Sequence, residues 1–294
     1  MIRPGIGQLG SYAPRPVVLE DDNCDIAASI SALPKLSIVV PSLNQGAFIG
    51  GTLQSILEQR YPNLDLIIVD GGSTDNTLSI IKQYEQHVSW WVSESDKGQA
   101  SAINKGFKQA TGDILAWINS DDKVAPGAFR FIAGYFAANP HVHAVYGDRI
   151  VINEKDFEIG RWILPEHSPG ALKWFDYVPQ ETLYWTREAW ELAGESLDES
   201  LKFAMDWDFL LRLTEKRAQI NHVSRFLGLF RVHQQQKTIS QISELGFQEM
   251  RELRRRALGY QPTRLQFLAN IATYLIRARW REISVTMKII KKVN

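Results

Sequence analysis

Three groups of residues in this chain have the types and spacing to do chemistry. Asp121 and Asp122 are adjacent carboxylates at the exit of an apolar run from Ile114 to Ile118, preceded by Asn119 and Ser120. Neighbouring acids repel unless a positive charge sits between them or one turns to solvent. Oxygen ligands at a strand end suit a hard cation, Mg²⁺ or Mn²⁺, which can in turn hold a diphosphate; the same residues also make an ordinary solvated turn. Asp70, at the end of an apolar run from Leu64 to Val69, opens the segment Gly71-Gly72-Ser73-Thr74-Asp75. Glycines there allow close approach of a ligand to the backbone, and the carboxylate is a candidate acceptor for a base or a ribose; the plain alternative is a capped strand-to-helix turn. The third group is Asp206 in MDWDFLLRL. On a helix it shares a stripe with Phe209, Leu210 and Leu213, where an acid is costly unless it is paired, capping or facing a cleft. Asp208 points elsewhere and is spaced to pair with Arg212 on an exposed face.

The elements that must position these groups follow from periodicity. Leu36 to Val40 and Leu64 to Val69 read as buried parallel strands, the first ended by Pro41, and Ile49, Leu53, Ile56 and Leu57 recur at helical spacing between them. Ser73 is placed to cap a helix carrying Leu78 and Ile81. A helix from about Gln99 to Ala110, the strand Ile114 to Ile118 and a helix after Pro126 continue the alternation, which predicts a parallel sheet. Ligands in such sheets bind beyond the carboxyl ends of the strands, so the polar clusters after Val40, Val69 and Ile118 converge on one edge. Val142 to Trp162 reads as strand. Pro165 to Ser200 is rich in Pro and Trp with weak periodicity, as an irregular binding surface would be. A helix from about Asp206 to Lys216, an apolar stretch from Phe226 to Val232 and a basic helical tail complete the chain.

The 294 residues carry a formal charge of +0, which gives no reason to expect nucleic acid. From Arg251 onward, however, eleven Lys and Arg face only Glu252 and Glu282. The single cysteine, Cys24, forms no internal disulfide and no Cys-based zinc site, and a reducing cytoplasmic setting is expected. The first residues lack the apolar core of a signal peptide and read as an extended lead-in, and the longest apolar run, Leu265 to Ile276, is too short to span a bilayer.

The ordered segments SIVVPSLNQGAFI, LIIVDGGSTDNT, SESDKGQASAINKGFKQATGDILAWINSDD, PGA, an Asp-bearing helix with a following Arg, and FRVH resemble the family 2 glycosyltransferases of the GT-A fold. The resemblance spans about Lys35 to His233. It implies a mixed α/β, Rossmann-like, mostly parallel sheet flanked by helices. The implied organisation is a lead-in over 1–34, a catalytic domain over 35–235 divided into a nucleotide-binding half (35–123) and an acceptor half (124–235), and a basic helical tail over 236–294. It implies an inverting transfer of a sugar from a nucleotide diphosphate, a UDP-sugar as first guess, to a hydroxyl of a saccharide or lipid-linked saccharide. The expected setting is cell-surface polysaccharide or glycoconjugate synthesis.

By the same resemblance Pro41, Leu43, Asn44, Asp70 and Gly71 hold the nucleoside. Asp96, Gln99, Asn104 and Lys105 flank a helix beside the donor, and Asn119 and Asp121 lie near the ribose. Asp122 binds Mn²⁺ or Mg²⁺ with His233 close by, and Asp206 is the general base. Gln180, Glu181 and Trp185 are the candidate acceptor contacts, aromatic faces being good platforms for sugars. The sequence departs from the family at Gly71, where many members have a second Asp or an Asn, and at Asn119, which replaces a leading Asp. Arg277-Ala278-Arg279-Trp280 matches only the end of the QxxRW signature of processive polysaccharide synthases, with Ile276 at the glutamine position.

Two other functions stand beside this one. A sugar nucleotidyltransferase needs a glycine-rich basic loop after the first strand, and SLNQGAFIGG has no Lys or Arg. A non-catalytic sugar-binding protein on the same fold has no need of Asp70, Asp121, Asp122 and Asp206 together. The basic tail is the candidate for peripheral contact with an anionic membrane.

Overall fold

Continuous β-branched runs need both faces of a sheet covered, and the chain meets that need with alternating strands and helices. The structure, a computed structural model, describes residues 12–19, 33–234 and 245–293, with side chains as far as residue 284; Cys24 lies outside these. The first half runs β1 (Leu36–Ser42), α1 (Ile49–Leu57), β2 (Leu64–Asp70), α2 (Thr77–Tyr84), β3 (Trp90–Ser93), α3 (Gln99–Phe107) and β4 (Ile114–Trp117). β1 lies between β2 and β4 and is parallel to both, with β3 parallel to the far side of β2. The strand expected to end at Pro41 continues through it, Pro41 being in register with Val69.

The second half runs β5 (Lys123–Val124), α4 (Ala128–Ala138), β6 (Ala144–Ile152), β7 (Glu158–Trp162), α5 (Pro169–Leu172), β8 (Tyr184–Thr186), α6 (Arg187–Leu192), α7 (Met205–Glu215), β9 (Ile220–Arg231), α8 (Phe247–Leu258) and α9 (Arg264–Val293). All nine strands belong to one sheet, ordered β3-β2-β1-β4-β8-β6-β9-β5, with β7 on β6. The strand direction reverses at β8, which is antiparallel to both β4 and β6. The acidic loop after β4 therefore leaves the sheet where its parallel half ends, a position that opens a crevice.

Aromatic residues of the supposedly irregular stretch form the core beneath this switch. Trp185 is fully buried, with its ring centroid 5.4 Å from Trp117, 4.9 Å from Phe209 and 5.5 Å from Phe107. It is a packing residue of the sheet and does not stack on an acceptor, because β8 turns that face inward.

Two other expectations change. Helix α2 starts at Thr77 with Asn76 at the N-cap position, so Ser73 caps nothing. The basic tail is not a separate appendage, because Glu249 on α8 accepts hydrogen bonds from the backbone N–H groups of Lys202, Phe203 and Ala204 at 2.8–2.9 Å. Leu253 of α8 and Ile271 and Tyr274 of α9 are buried against the body. Among the described residues no helix is long and apolar enough to cross a membrane.

Candidate active site

A cleft of about 490 Å³ opens along the strand ends of the parallel half and runs under α7, within the size range of small-ligand sites. Its walls bring together Pro41, Leu43, Asp96, Gln99, Asn119, Asp121 and Asp122 from the first half with Gln180, Glu181 and Asp206 from the second. Arg149, Asp176 and Trp162 also line it. None of these last three is marked by the sequence motifs. The signal available for Arg149 is a charge inside the apolar run AVYGDRIVI.

The acidic loop is held from three sides. The Thr52 hydroxyl on α1 donates to the carbonyls of Ser120 (2.9 Å) and Asp122 (2.7 Å). From β9, Arg231 Nε donates to the Asp121 carbonyl at 2.8 Å, and the Arg231 N–H donates to Asp122 Oδ1 at 3.0 Å. Asn119 Nδ2 donates to Asp122 Oδ2 at 3.3 Å and to Gln180 Oε1 at 3.1 Å, while Gln99 Nε2 donates to Asn119 Oδ1 at 2.7 Å. Asn119 thus ties the donor wall to the acceptor wall instead of presenting a charge.

This bracing leaves the two acids in different surroundings. Asp122 is 1% exposed, and both its oxygens accept bonds from the loop's own supports. Burial, then the charges of Asp121 and Glu181, raise its carboxyl well above the ordinary range. Asp121 is the more accessible, and its Oδ2 lies 2.9 Å from Nε2 of His233. The His233 ring is held against Phe48, with centroids 4.5 Å apart. Asp121 and His233 thus form a hydrogen-bonded pair beside the cleft, and Asp122 is the buried bracket of the loop. Among the described residues no group of three or more His, Cys, Asp or Glu could hold a metal. The pair consequently fits a hard cation that takes its remaining oxygens from a diphosphate and water.

Several expected donor contacts are structural instead. The carboxylate of Asp70 is 0% exposed and accepts from the N–H groups of Gly72 and Ser73 and from the hydroxyls of Ser73 and Ser93, so it shapes the glycine turn from within. Asn44, in the left-handed region at φ 52°, accepts from Thr74 N–H at 2.9 Å and joins the loop after β1 to that turn. Asn104 is spent on both backbone groups of Leu197, and Lys105 pairs with Glu94 outside the cleft. Gly71 does not line the cleft either. A Cβ there would sit 2.8 Å from Oδ2 of Asp96. The carboxylate missing at position 71 is thus delivered to nearly the same place from the loop before α3.

At the opposite end Asp206 begins α7, and its Oδ1 accepts from the N–H of Trp207 at 2.9 Å. Burial raises its carboxyl to about 6, with the Trp207 N–H and the nearby Arg149 charge pulling the other way and Glu181 adding to the rise. Asp176 shares this end. Burial and the charge of Asp206 hold it well above the carboxylate range. Glu181, 1% exposed, is locked to Arg149 by two bonds, Nε to Oε1 at 2.7 Å and Nη2 to Oε2 at 2.5 Å. The Arg149 guanidinium also lies 4.2 Å from the Phe230 ring centroid and 4.8 Å from that of Trp162. One cation therefore serves the acids of the acceptor wall.

Asp208 does pair with Arg212, at 2.8 Å, but the pair is not on an exposed face. Asp208 is 1% exposed, because α8 covers that side of α7 and brings Arg256 to its other oxygen. Asp208→Asn is accordingly expected to lower stability by about 1.5–3 kcal/mol, the range for a hydrogen bond to a charged group, with nucleotide binding retained. A thermal melt beside a nucleotide titration checks it, and an unchanged melting temperature would contradict the buried bracket.

The arrangement places Asp96 and Asp121 at one end of a cleft, and an acid of raised affinity for protons at the other. Such a cleft suits transfer from a diphosphate-linked donor to a nucleophile that must lose a proton. Comparison with known proteins agrees with this. Residues 37–195 match the sequence profile described as Glycosyl transferase family 2. The chain is 28% identical over 205 residues, 68% of its length, to the O-antigen biosynthesis protein RfbC of Myxococcus xanthus, of which that match covers 16%. It is 29% identical over 192 residues to the Escherichia coli chondroitin synthase, covering 64% of this chain and 28% of that protein. The chain thus spans less than a third of the length of either relative. Among solved structures, S. aureus TarS 1-349 in complex with UDP-GlcNAc superposes with a TM-score of 0.63 at 20% identity, covering 83% of this chain and 72% of that one. The mannosyltransferase PcManGT from Pyrobaculum calidifontis, in complex with GDP-Man and Mn²⁺, gives 0.60 at 18% identity over 90% and 78%. These structures share the fold of the sheet and its flanking helices. With the profile covering more than half of the chain, and an acid-lined cleft at the matched strand ends, the protein belongs to glycosyl transferase family 2.

Proposed function

We propose that this protein transfers a sugar from a nucleotide diphosphate to an acceptor hydroxyl with inversion, in the synthesis of a cell-surface polysaccharide or glycoconjugate. The observation that carries the reading is the cleft itself. It joins Asp96, Asn119 and Asp121 at the strand ends to Asp206 on α7, so that donor and proton acceptor share one enclosure. Asp96 is the acid that faces the nucleobase, where a carboxylate accepts an imide N–H. UDP is the first expectation, and GDP offers the same kind of donor. The acceptor hydroxyl, on a saccharide or a lipid-linked saccharide, enters between Gln180 and Asp206 and attacks the anomeric carbon from the face opposite the diphosphate. Asp206 takes its proton in that single displacement, and Arg149 keeps Asp206 able to ionise within a wall of acids. No covalent intermediate on the protein is needed. Asp121 and His233 would hold Mn²⁺ or Mg²⁺, which when bound neutralises charge on the leaving diphosphate.

The direct test is release of nucleotide diphosphate from UDP-GlcNAc, UDP-galactose, UDP-glucose and GDP-mannose, each with Mn²⁺, Mg²⁺ or chelator. Turnover of none of them, with no nucleotide binding, would reject the reading. A separate expectation concerns the cation. In calorimetry the preferred nucleotide diphosphate should bind more tightly with the metal than with chelator, Asp121→Ala should remove the enhancement, and His233→Ala should weaken it about 10–100-fold, as loss of a supporting partner does. Equal binding with metal and with chelator would reject the metal role, and retention of the enhancement in Asp121→Ala would return that role to Asp122.

A further inference from the structure

Helix α9 has two apolar faces, and only one of them is covered. Its inner face, with Ile271 0%, Tyr274 4% and Ala278 8% exposed, packs on the body. Tyr274 lies tilted against Tyr177 and edge-on to Phe175, with ring centroids 4.4 and 5.4 Å apart. Those two residues flank Asp176, so α9 props up the segment that forms the acceptor end of the cleft. The outer face shows Leu265 at 80%, Leu268 at 46%, Ile276 at 58%, Trp280 at 70% and Ile283 at 45% exposure. These residues recur three or four apart, with Ala272 filling the turn between Leu268 and Ile276, which makes one continuous stripe on a helix. Arg264, Arg277 and Arg279 are exposed along the same helix, and the sequence of its last turns adds Lys288, Lys291 and Lys292.

The arginines of α8 are used differently. Arg256 is bound to Asp208, Arg255 to Glu252, and Arg254 lies on the Phe267 ring at 4.6 Å from its centroid while donating to the Trp174 carbonyl. The exposed positive charge of the tail thus lies on Arg251 of α8 and on Arg264, Arg277 and Arg279 of α9, Arg279 sharing its charge with Glu282 at 2.6 Å. A partner of α9 must offer an apolar layer beneath a negatively charged rim.

We infer that the outer stripe of α9 seats the enzyme on the surface of an anionic lipid bilayer, the apolar side chains entering the interface while the flanking cations meet lipid phosphates. Charge complementarity selects this occupant. A second copy of the chain would set the same arginines against each other, whereas an anionic surface attracts each of them, about fivefold in partition per residue. A helix with a strong apolar face and Lys or Arg beside it lies in the plane of the membrane. With α9 between lipid and body, the acceptor end of the cleft is linked to the bilayer side of the enzyme through the Tyr274–Tyr177 contact. Resting on the glycosyltransferase reading, this selects the lipid-linked form of the acceptor.

The test is flotation of the full chain with vesicles of phosphatidylcholine alone and with vesicles in which phosphatidylglycerol is a third of the lipid. Binding is expected on the anionic vesicles only, weakening at high salt, with a blue shift of tryptophan emission that Trp280→Phe removes. Ile276→Glu/Trp280→Glu should abolish flotation, and Arg277→Ala/Arg279→Ala should lower it roughly 25-fold. All four positions are exposed, so the melting temperature should not move, and Leu265→Ser/Leu268→Ser offers a milder variant of the same stripe. Absence of flotation, equal flotation on both vesicles, or flotation unaffected by these substitutions would overturn the inference. So would a dimer in light scattering that Trp280→Glu dissolves. Nucleotide binding by calorimetry should be the same in every variant. Its absence from the wild-type chain would instead fault the glycosyltransferase reading.

Discussion

Asp206→Asn is expected to lower sugar transfer by about 10²–10⁴-fold, the contribution of a positioned general base, while the affinity for the nucleotide diphosphate stays within a factor of a few. The amide keeps the shape of the side chain and can still accept from the Trp207 N–H, but it cannot take the acceptor's proton. The pH dependence follows from burial, which places the Asp206 carboxyl at about 6. Only the ionised form is a base, so wild-type transfer should fall as pH drops below about 6 and level off above it, and the variant should lose that acid limb. Stability moves in the opposite sense. A carboxyl raised in the folded state contributes stability that is present below the ordinary carboxylate range and is lost as pH rises through about 6. The Asp206→Asn protein should therefore melt above wild type at neutral pH and approach it in acid. Single-turnover transfer and thermal melts between pH 4 and 8 check both limbs, and a folded variant with near-native transfer would assign the base elsewhere.

Arg149→Met is expected to be the most damaging single change to the fold of the cleft. It leaves Glu181, 1% exposed, as a buried charge without its bidentate partner, a type of loss that costs about 3–5 kcal/mol. For a domain of this size that corresponds to a melting temperature lower by roughly 6–20 °C. Arg149→Met/Glu181→Leu should recover much of it, since replacing both partners leaves no unpaired charge. Where the single variant still folds, Asp206 loses the cation that favours its ionised form, and the acid limb of transfer should move to higher pH. Melting curves of the single and double variants decide the point: a single variant as stable as wild type would mean that the ion pair carries no weight.

The cleft lies where the strand pattern put it, yet its chemistry was only partly legible. Runs such as Leu36 to Val40 and Leu64 to Val69 specify buried parallel strands on their own, because no other element buries so short a β-branched run on both faces. The order of those runs sets the edge on which Pro41, Asp96, Gln99, Asn119 and Asp121 meet. Asp206 at the start of its helix was legible in the same way, from an acid on an apolar stripe.

What a periodic pattern could not convey is which faces a second layer covers. Asp208 reads as a surface acid until α8, 48 residues further along the chain at Arg256, closes over it. Trp185 reads as a sugar platform until β8 inserts between β4 and β6 and turns it into the core. Asp122 reads as an open carboxylate until β9 supplies the Arg231 N–H that bonds it, and Asp70 reads as an acceptor for a base or a ribose until its own glycine turn folds back onto its carboxylate. Arg149 and Asp176 join the site only through pairings distant in sequence. The sequence by itself determined the parallel strands of the first half and the edge where ligands bind, because those depend on local composition and chain connectivity. Which carboxylates remain free to act was decided by tertiary structure, because a charge is buried, paired or exposed only by what a remote segment places beside it.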